Sequence, residues 1–391
     1  MSSNFIETCV VGWVSSSAFK EMPLYDEALS YSSHECPRNR QKSMDPVRRS
    51  PNFAIRSIFL CLLVTGTLFV VCCSRLHIDF TMQETSPLLE QVKATYNKML
   101  QNGDPRVSDW AMMASPMPTF GIVFAYLFFI WYGKKVMAQR SSGFEIRNIM
   151  IFYNACMVAL SLWLVYEFSV AGWIFGSYTL GCQPVDPSMH PQALRMARAC
   201  WVFYISKLIE LADTAFFILR RKFQLITFLH VFHHAVMAAS WWFGVKFVPG
   251  GFSTFHALVN SFIHVWMYTY YAFAAAGPQF YPYLWWKKYM TTAQILQFII
   301  VIAHTTQLFF FKDCDYPILF GWWILSYAFI FLILFSHFYY QAYIKPRKIA
   351  AAKKLAEKSK NAVEGESKCT DNNQNVKKSK VDNEDETKKS Q

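Results

Sequence analysis

Long apolar runs decide what this chain can fold into. They cover Met117–Tyr132, Ile149–Gly176, Ala199–Leu219, Ile226–Phe247, Phe252–Ala276, Tyr289–Phe311 and Pro317–Ile344. A helix needs about 20 apolar residues to cross a bilayer core; the first run is short of that and the third is broken by charge. Only 16% of the 391 residues are charged, against about 25% in a soluble domain. The chain therefore reads as an all-α polytopic membrane protein with seven core transmembrane helices. An eighth run, Ser57–Ser74, stands apart near the N-terminus. It starts too deep for a cleaved signal peptide, which leaves an extra N-terminal span or a signal anchor.

Loop charge sets the orientation. The 133–148 loop carries Lys134, Lys135, Arg140 and Arg147; Arg220, Arg221 and Lys222 form a second basic cluster, Lys287 and Lys288 a third, and Lys345, Arg347 and Lys348 follow the last run. The loops between them are poor in Lys and Arg, and "KDCDYP" is net acidic. The positive-inside rule then places the C-terminus in the cytosol. The net charge of +12 reads as topology and contact with anionic lipid headgroups, not as a nucleic-acid surface. This pattern divides the chain into a polar extension (1–50), the extra span (51–76), a lumenal linker (77–102), a membrane domain (103–347) and a disordered cytosolic tail (348–391). Lys388 and Lys389, four and three places from the end, resemble a dilysine signal for retrieval to the endoplasmic reticulum. Most of the ten cysteines lie in spans or cytosolic segments, where thiols stay reduced. Cys182 and Cys314 fall in lumenal loops, and a bridge between them is expected.

Ionisable groups inside spans are the best pointers to function. "KLIELADT" sets Lys207, Glu210, Asp213 and Thr214 at steps that gather them along one side of a helix. Each charge at mid-bilayer costs on the order of 2.5–3.5 kcal/mol, so they must pair or line a wet cavity. Lys207 is the better candidate for meeting an anion, and a structural ion-pair network is the alternative for Glu210 and Asp213. "HVFHH" sets His230, His233 and His234 on one face of the fourth run. In "NSFIHVWMYTYY", Asn260, His264, Met267, Tyr268 and Tyr271 form one polar-aromatic stripe; Tyr270 and Tyr271 also suit a packing seam. In "TTAQILQ", Thr291, Gln294 and Gln297 step by three, and suit helix-to-helix glue and a cavity lining equally. His256, His304 and His337 are isolated and read as structural.

Histidines this dense read as metal ligands, as a structural hydrogen-bond cluster or as reagents, and three at this spacing inside a span favour a functional role. Membrane di-iron lipid oxygenases also use HxxHH, but in several boxes, and this chain has one. Without metal, imidazole serves as base or nucleophile. The motifs KxxExxDT, HxxHH, NxxxHxxMYxYY and TxxQxxQ occur here in that order. Together they resemble the very-long-chain fatty acid elongases, the membrane condensing enzymes of the endoplasmic reticulum. "DPRVSDWAMMASPMPT" and "PGGFSTFHALVNSFIH" are similar to that family too, and the resemblance covers roughly 103–347. The family usually has Pro after the glycine of the first cytosolic loop, where this chain has Lys134, and Pro-Phe after the arginine, where it has "SSGF".

The resemblance implies six helices around an acyl tunnel and condensation of a long-chain acyl-CoA with malonyl-CoA. The products are 3-oxoacyl-CoA, carbon dioxide and CoA. It implies catalytic roles for His233, His264, His230, His234 and Asn260. His233 would form an acyl-imidazole in a ping-pong cycle, and Asn260 would donate to the developing oxyanion. Lys207, Glu210, Asp213, Thr214, Met267, Tyr268, Tyr271, Gln294 and Gln297 would meet substrate, with no metal and no bound cofactor. Arg220, Arg221, Lys287 and Lys288 are placed to meet CoA phosphates. Expected partners are acyl-CoA, malonyl-CoA, membrane lipid, the ketoacyl reductase, dehydratase and enoyl reductase of the cycle, and a second copy of the chain. A non-catalytic scaffold of the elongation complex remains the alternative reading.

Overall fold

A computed structural model describes residues 88–311 and 313–357. The expectations for the polar extension, the Ser57–Ser74 run, the first part of the linker (77–87), the tail beyond residue 357 and the Lys388–Lys389 signal lie outside the described residues.

Among the described residues the chain is helical, with no strand. The helices are α1 Leu88–Gln101, α2 Met117–Ala138, α3 Arg147–Phe168, α4 Pro191–Ile209, α5 Ala212–Leu219, α6 Phe228–Phe247, α7 Thr254–Ala276, α8 Lys287–Gln307 and α9 Ile318–Tyr339. Each of the seven apolar runs from Met117 onward lies on one or two of them. Among the described residues three helical stretches are long and apolar enough to cross a membrane: Met117–Ala138, Arg147–Trp173 and Ile318–Glu357. Their outward faces carry Phe124, Phe128, Phe152, Leu162, Trp322 and Ile333, all exposed, which suits lipid rather than water.

Local chemistry fixes the ends. Thr227 caps α6, its hydroxyl accepting from the His230 amide at 3.2 Å. His190 caps α4 through the Gln192 amide at 3.3 Å, with Pro191 in the first turn, where its missing N–H costs nothing. A π-helical turn, Ser169–Trp173, closes α3. The third apolar run, which reads as one span, is two helices: α4 and α5 meet at Glu210 and Leu211, where bonding tightens to Leu211 N–Leu208 O (3.3 Å) and Asp213 N–Glu210 O (3.2 Å).

α3 lies along α7; α4 packs on α3 and α6, α8 on α7, and α2 on α5 and α6. The α6–α7 turn, "PGG", is pinned to the 177–190 loop. The Gly251 amide donates to the Tyr178 hydroxyl (3.1 Å) and the Phe252 amide to the Gln183 carbonyl (2.8 Å). Gly251 has φ +67°, and a Cβ there would lie 2.9 Å from Gln183 and Pro184 backbone atoms, so only glycine fits. Cys182 and Cys314 form a disulfide that joins this loop to the one before α9. Arg106 clasps Asp104 (2.6 Å) and donates to the Asp186 and Ser188 carbonyls at 2.6 and 3.0 Å. The Ser188 hydroxyl and amide hold the Asp186 carboxylate below its ordinary pKa. At the other ends of the helices the 133–148 loop meets α5, with the Phe144 amide on the Leu219 carbonyl at 2.9 Å and the Arg221 guanidinium on the Ser141 carbonyl at 2.7 Å.

The chain divides at Ser336 into two units. The second contains the end of α9, a π-helical turn at Tyr340–Ile344 and helical residues 345–357, with the Lys348 ammonium over the Tyr340 ring.

Candidate active site

α4, the joint after it, α5, α6 and α7 bring the polar clusters together. Lys207 projects from the last turn of α4, and Glu210 occupies the joint. The Lys207 ammonium donates to Glu210 Oε1 at 2.7 Å and to Asn260 Oδ1, on α7, at 3.0 Å. Glu210 Oε1 also faces His264 Nδ1 at 3.3 Å. All four side chains are buried. The Lys207 charge is therefore met by protein groups within the structure.

A second set sits one turn along. On α5, Asp213 Oδ2 accepts from the Tyr268 hydroxyl of α7 at 2.9 Å. Tyr153 of α3 reaches the same carboxylate and the Ile209 carbonyl. Thr214 Oγ1 bonds His230 Nε2 at 2.8 Å and the Tyr126 hydroxyl, on α2, at 2.9 Å. This chain of bonds ties the box on α6 to α5 and α2. Neither Tyr126 nor Tyr153 stands out in the sequence: Tyr126 sits among Phe124, Phe128 and Phe129, and Tyr153 beside Phe152, with no polar stripe to mark either.

The three box histidines differ. His230 is held by Thr214. His234 packs between the other two rings, at centroid distances of 4.4 Å from His230 and 5.3 Å from His233, and its Nδ1 is buried with no hydrogen bond among the described residues. His233 touches Phe331 of α9 at 5.0 Å and Phe335 at 6.4 Å. Glu210, Lys207, His264 and His230 all lie within its electrostatic reach. Its contacts among the described residues are ring contacts and these charges, and neither nitrogen is hydrogen-bonded there. Of the three imidazoles it is the one least committed to protein and, unlike His234, it retains partial exposure.

The remaining residues surround this core. Met267 accepts a long contact from Gln294 Nε2 at 3.7 Å. Tyr271 packs edge-on to Tyr268 at 6.0 Å. Gln297 is buried, and its Oε1 has no hydrogen bond among the described residues. His256 bonds the Tyr327 hydroxyl at 2.7 Å, and His304 lies between the rings of Phe252 and Phe255, each 4.1 Å away. Among the described residues no three His, Cys, Asp or Glu side chains converge in a metal-holding arrangement. Cys200 is a buried free thiol, and Cys156 is exposed.

Comparison with known proteins shows the family. The model of the ELO family, described as the GNS1/SUR4 family, matches residues 111–351. A very long chain fatty acid elongase of Aedes aegypti is 47% identical over 268 residues, 68% of this chain and 74% of that protein. Very long chain fatty acid elongase 7 of Rattus norvegicus is 46% identical over 266 residues, 68% of this chain and 94% of its own length. Very long chain fatty acid elongase 1 of Homo sapiens is 46% identical over 267 residues, 68% and 95% respectively. This chain belongs to the ELO family of very long chain fatty acid elongases, which are membrane proteins.

Proposed function

We propose that this chain is a very-long-chain 3-oxoacyl-CoA synthase. It condenses a long-chain acyl-CoA with malonyl-CoA and opens each round of elongation. The observation that carries this reading is the convergence of His233, with both nitrogens uncommitted among the described residues, and the Lys207–Glu210–His264–Asn260 cluster, in a family whose relatives are named elongases.

In the first half-reaction a His233 nitrogen attacks the thioester carbonyl. The N–C bond forms and the C–S bond breaks. The imidazole proton passes through His264 or His230 to the departing CoA sulfur. In the second half, malonyl-CoA loses carbon dioxide. The resulting enolate carbon attacks the acyl-imidazole, and imidazole leaves and regains a proton from solvent. Asn260 donates to the oxyanion that forms in each half; one such donor supplies about 3 kcal/mol. A ping-pong cycle uses one imidazole twice and needs no bound cofactor.

On this reading seven core helices span the membrane, and six enclose an acyl tunnel lined by Met267, Tyr271, Gln294 and Gln297. The protein sits in the endoplasmic reticulum with a cytosolic C-terminus and the Lys388–Lys389 retrieval signal. It works beside the ketoacyl reductase, dehydratase and enoyl reductase, and pairs with a second copy. Arg220, Lys287 and Lys288 meet the CoA phosphates.

The test is incorporation of radiolabelled malonyl-CoA by microsomes expressing the chain, offered a panel of acyl-CoAs, beside His233→Ala. Wild type extends at least one acyl-CoA, and the variant falls by on the order of 1,000-fold or more. An active His233→Ala enzyme removes the nucleophile assignment. A wild type inert with every acyl-CoA returns the chain to a scaffold.

A further inference from the structure

The pair Lys207 and Glu210 is nearly sealed from solvent, each side chain 2% exposed. A buried ion pair contributes little net stability, because desolvation offsets the attraction, and apolar residues of similar volume often do as well. Stability alone is therefore a weak account of it. The geometry offers a better one. Lys207 and Glu210 are three residues apart at the end of α4, and Asn260 and His264 are four apart on α7. Each member of the first pair addresses one member of the second.

The donor and acceptor inventory fixes what each contact does. A carboxylate only accepts, so the His264 nitrogen facing Glu210 carries the hydrogen. That nitrogen is Nδ1, and Nε2 is left with its lone pair. An ammonium only donates, so the Asn260 atom facing Lys207 is the amide oxygen. The amide NH2 is then turned away and free to donate. One ion pair thus sets a base in its working tautomer and an amide in its working rotamer.

Resting on the function proposed above, we infer that Lys207 and Glu210 are positioning residues for the reaction. Glu210 orients His264 and steadies the imidazolium that forms while the proton moves from His233 to the CoA sulfur. Lys207 aims the Asn260 amide at the carbonyl oxygen and neutralises the Glu210 charge. Neither touches substrate.

The test compares wild type, the double variant Lys207→Met/Glu210→Met, and Glu210→Asp. It uses purified full-length protein in liposomes, with radiolabelled malonyl-CoA and the panel of acyl-CoAs named above, kinetics being compared on the one that wild type extends fastest, and thermal unfolding is measured in parallel. The double variant replaces the pair by apolar side chains of similar length. Its melting midpoint stays close to wild type, kcat falls about 100-fold, as for lost orienting partners elsewhere, and KM for both CoA substrates moves less than about threefold. Glu210→Asp keeps the charge but withdraws the carboxylate by one methylene, and kcat falls about 10-fold. A folded double variant with wild-type kcat overturns the inference, as does Glu210→Asp with wild-type kcat if the double variant does not fold. In both cases wild type still turns over, so the proposed function stands. A wild type that extends no acyl-CoA defeats that function, and the positioning role with it.

Discussion

Thr214 is the residue on which two buried groups depend, since its hydroxyl meets both His230 Nε2 and the Tyr126 hydroxyl. Valine has nearly the same shape and no hydroxyl. Thr214→Val therefore leaves two polar atoms without their partner, and an unsatisfied buried group costs about 1–3 kcal/mol. The variant should unfold at a clearly lower temperature than wild type, and Thr214→Ser should recover most of the difference. Equal melting of the valine and wild-type proteins would show that water or another group replaces the hydroxyl. Much of this site is legible in the sequence, because steps of three and four residues put groups on one helical face. That logic gathers Lys207, Glu210, Asp213 and Thr214, and separately His230, His233 and His234. It does not say which group on one helix meets which on another. Lys207 reads as a group that meets an anionic substrate, while its ammonium lies on Glu210 and Asn260. Tyr126 and Tyr153 are invisible for the same reason: pairing between helices leaves no period in the sequence.

The elements show which boundaries hydropathy can find. α4 begins at Pro191, well before the apolar run at Ala199, because the cap at His190 and the proline decide where a helix starts. The joint at Glu210–Leu211 interrupts a run with neither glycine nor proline to announce it. Turn chemistry is more explicit. α7 ends at Gly277 with φ +113°, where a Cβ would come within 2.9 Å of the Arg147 guanidinium, which donates to the Ala276 carbonyl. Gly251 has a positive φ and backbone atoms at 2.9 Å. By contrast Gly121, inside α2, has nothing within 4 Å of the place a methyl group would take. Gly251→Ala should therefore lower the melting temperature, by an amount matching about 1–2 kcal/mol of left-handed strain plus the contact. Gly121→Ala should not lower it, since alanine is the better helix former. Thermal unfolding of the two variants side by side checks both. A Gly251→Ala protein as stable as wild type would mean that the PGG turn is free to rearrange.

At the scale of the whole molecule, charge asymmetry and cysteine placement make one connected claim. On the proposed orientation the basic loops are cytosolic, and the loops holding Cys182 and Cys314 face the opposite, oxidising side. The structure joins those two cysteines across 132 residues of sequence. Closing so long a loop restricts the unfolded chain strongly, and removing a native bridge costs about 2–5 kcal/mol. Cys182→Ser/Cys314→Ser should melt well below wild type, whereas Cys156→Ser, at an exposed free thiol, should not. The proposed orientation can be tested through the same bond, because a disulfide persists only in an oxidising compartment. In sealed microsomes, protease added outside should remove an epitope placed after Gln391. A membrane-impermeant maleimide should leave Cys182 and Cys314 unmodified until the vesicles are both reduced and opened. Labelling of these thiols after reduction in intact vesicles would place the bridge on the outer, cytosolic face. That result would reverse the topology, because the loops joined by the bridge and the basic loops lie at opposite ends of the same helices. The CoA-facing end would then need to be sought beside Arg106 and Asp186 rather than beside Arg220 and Lys287.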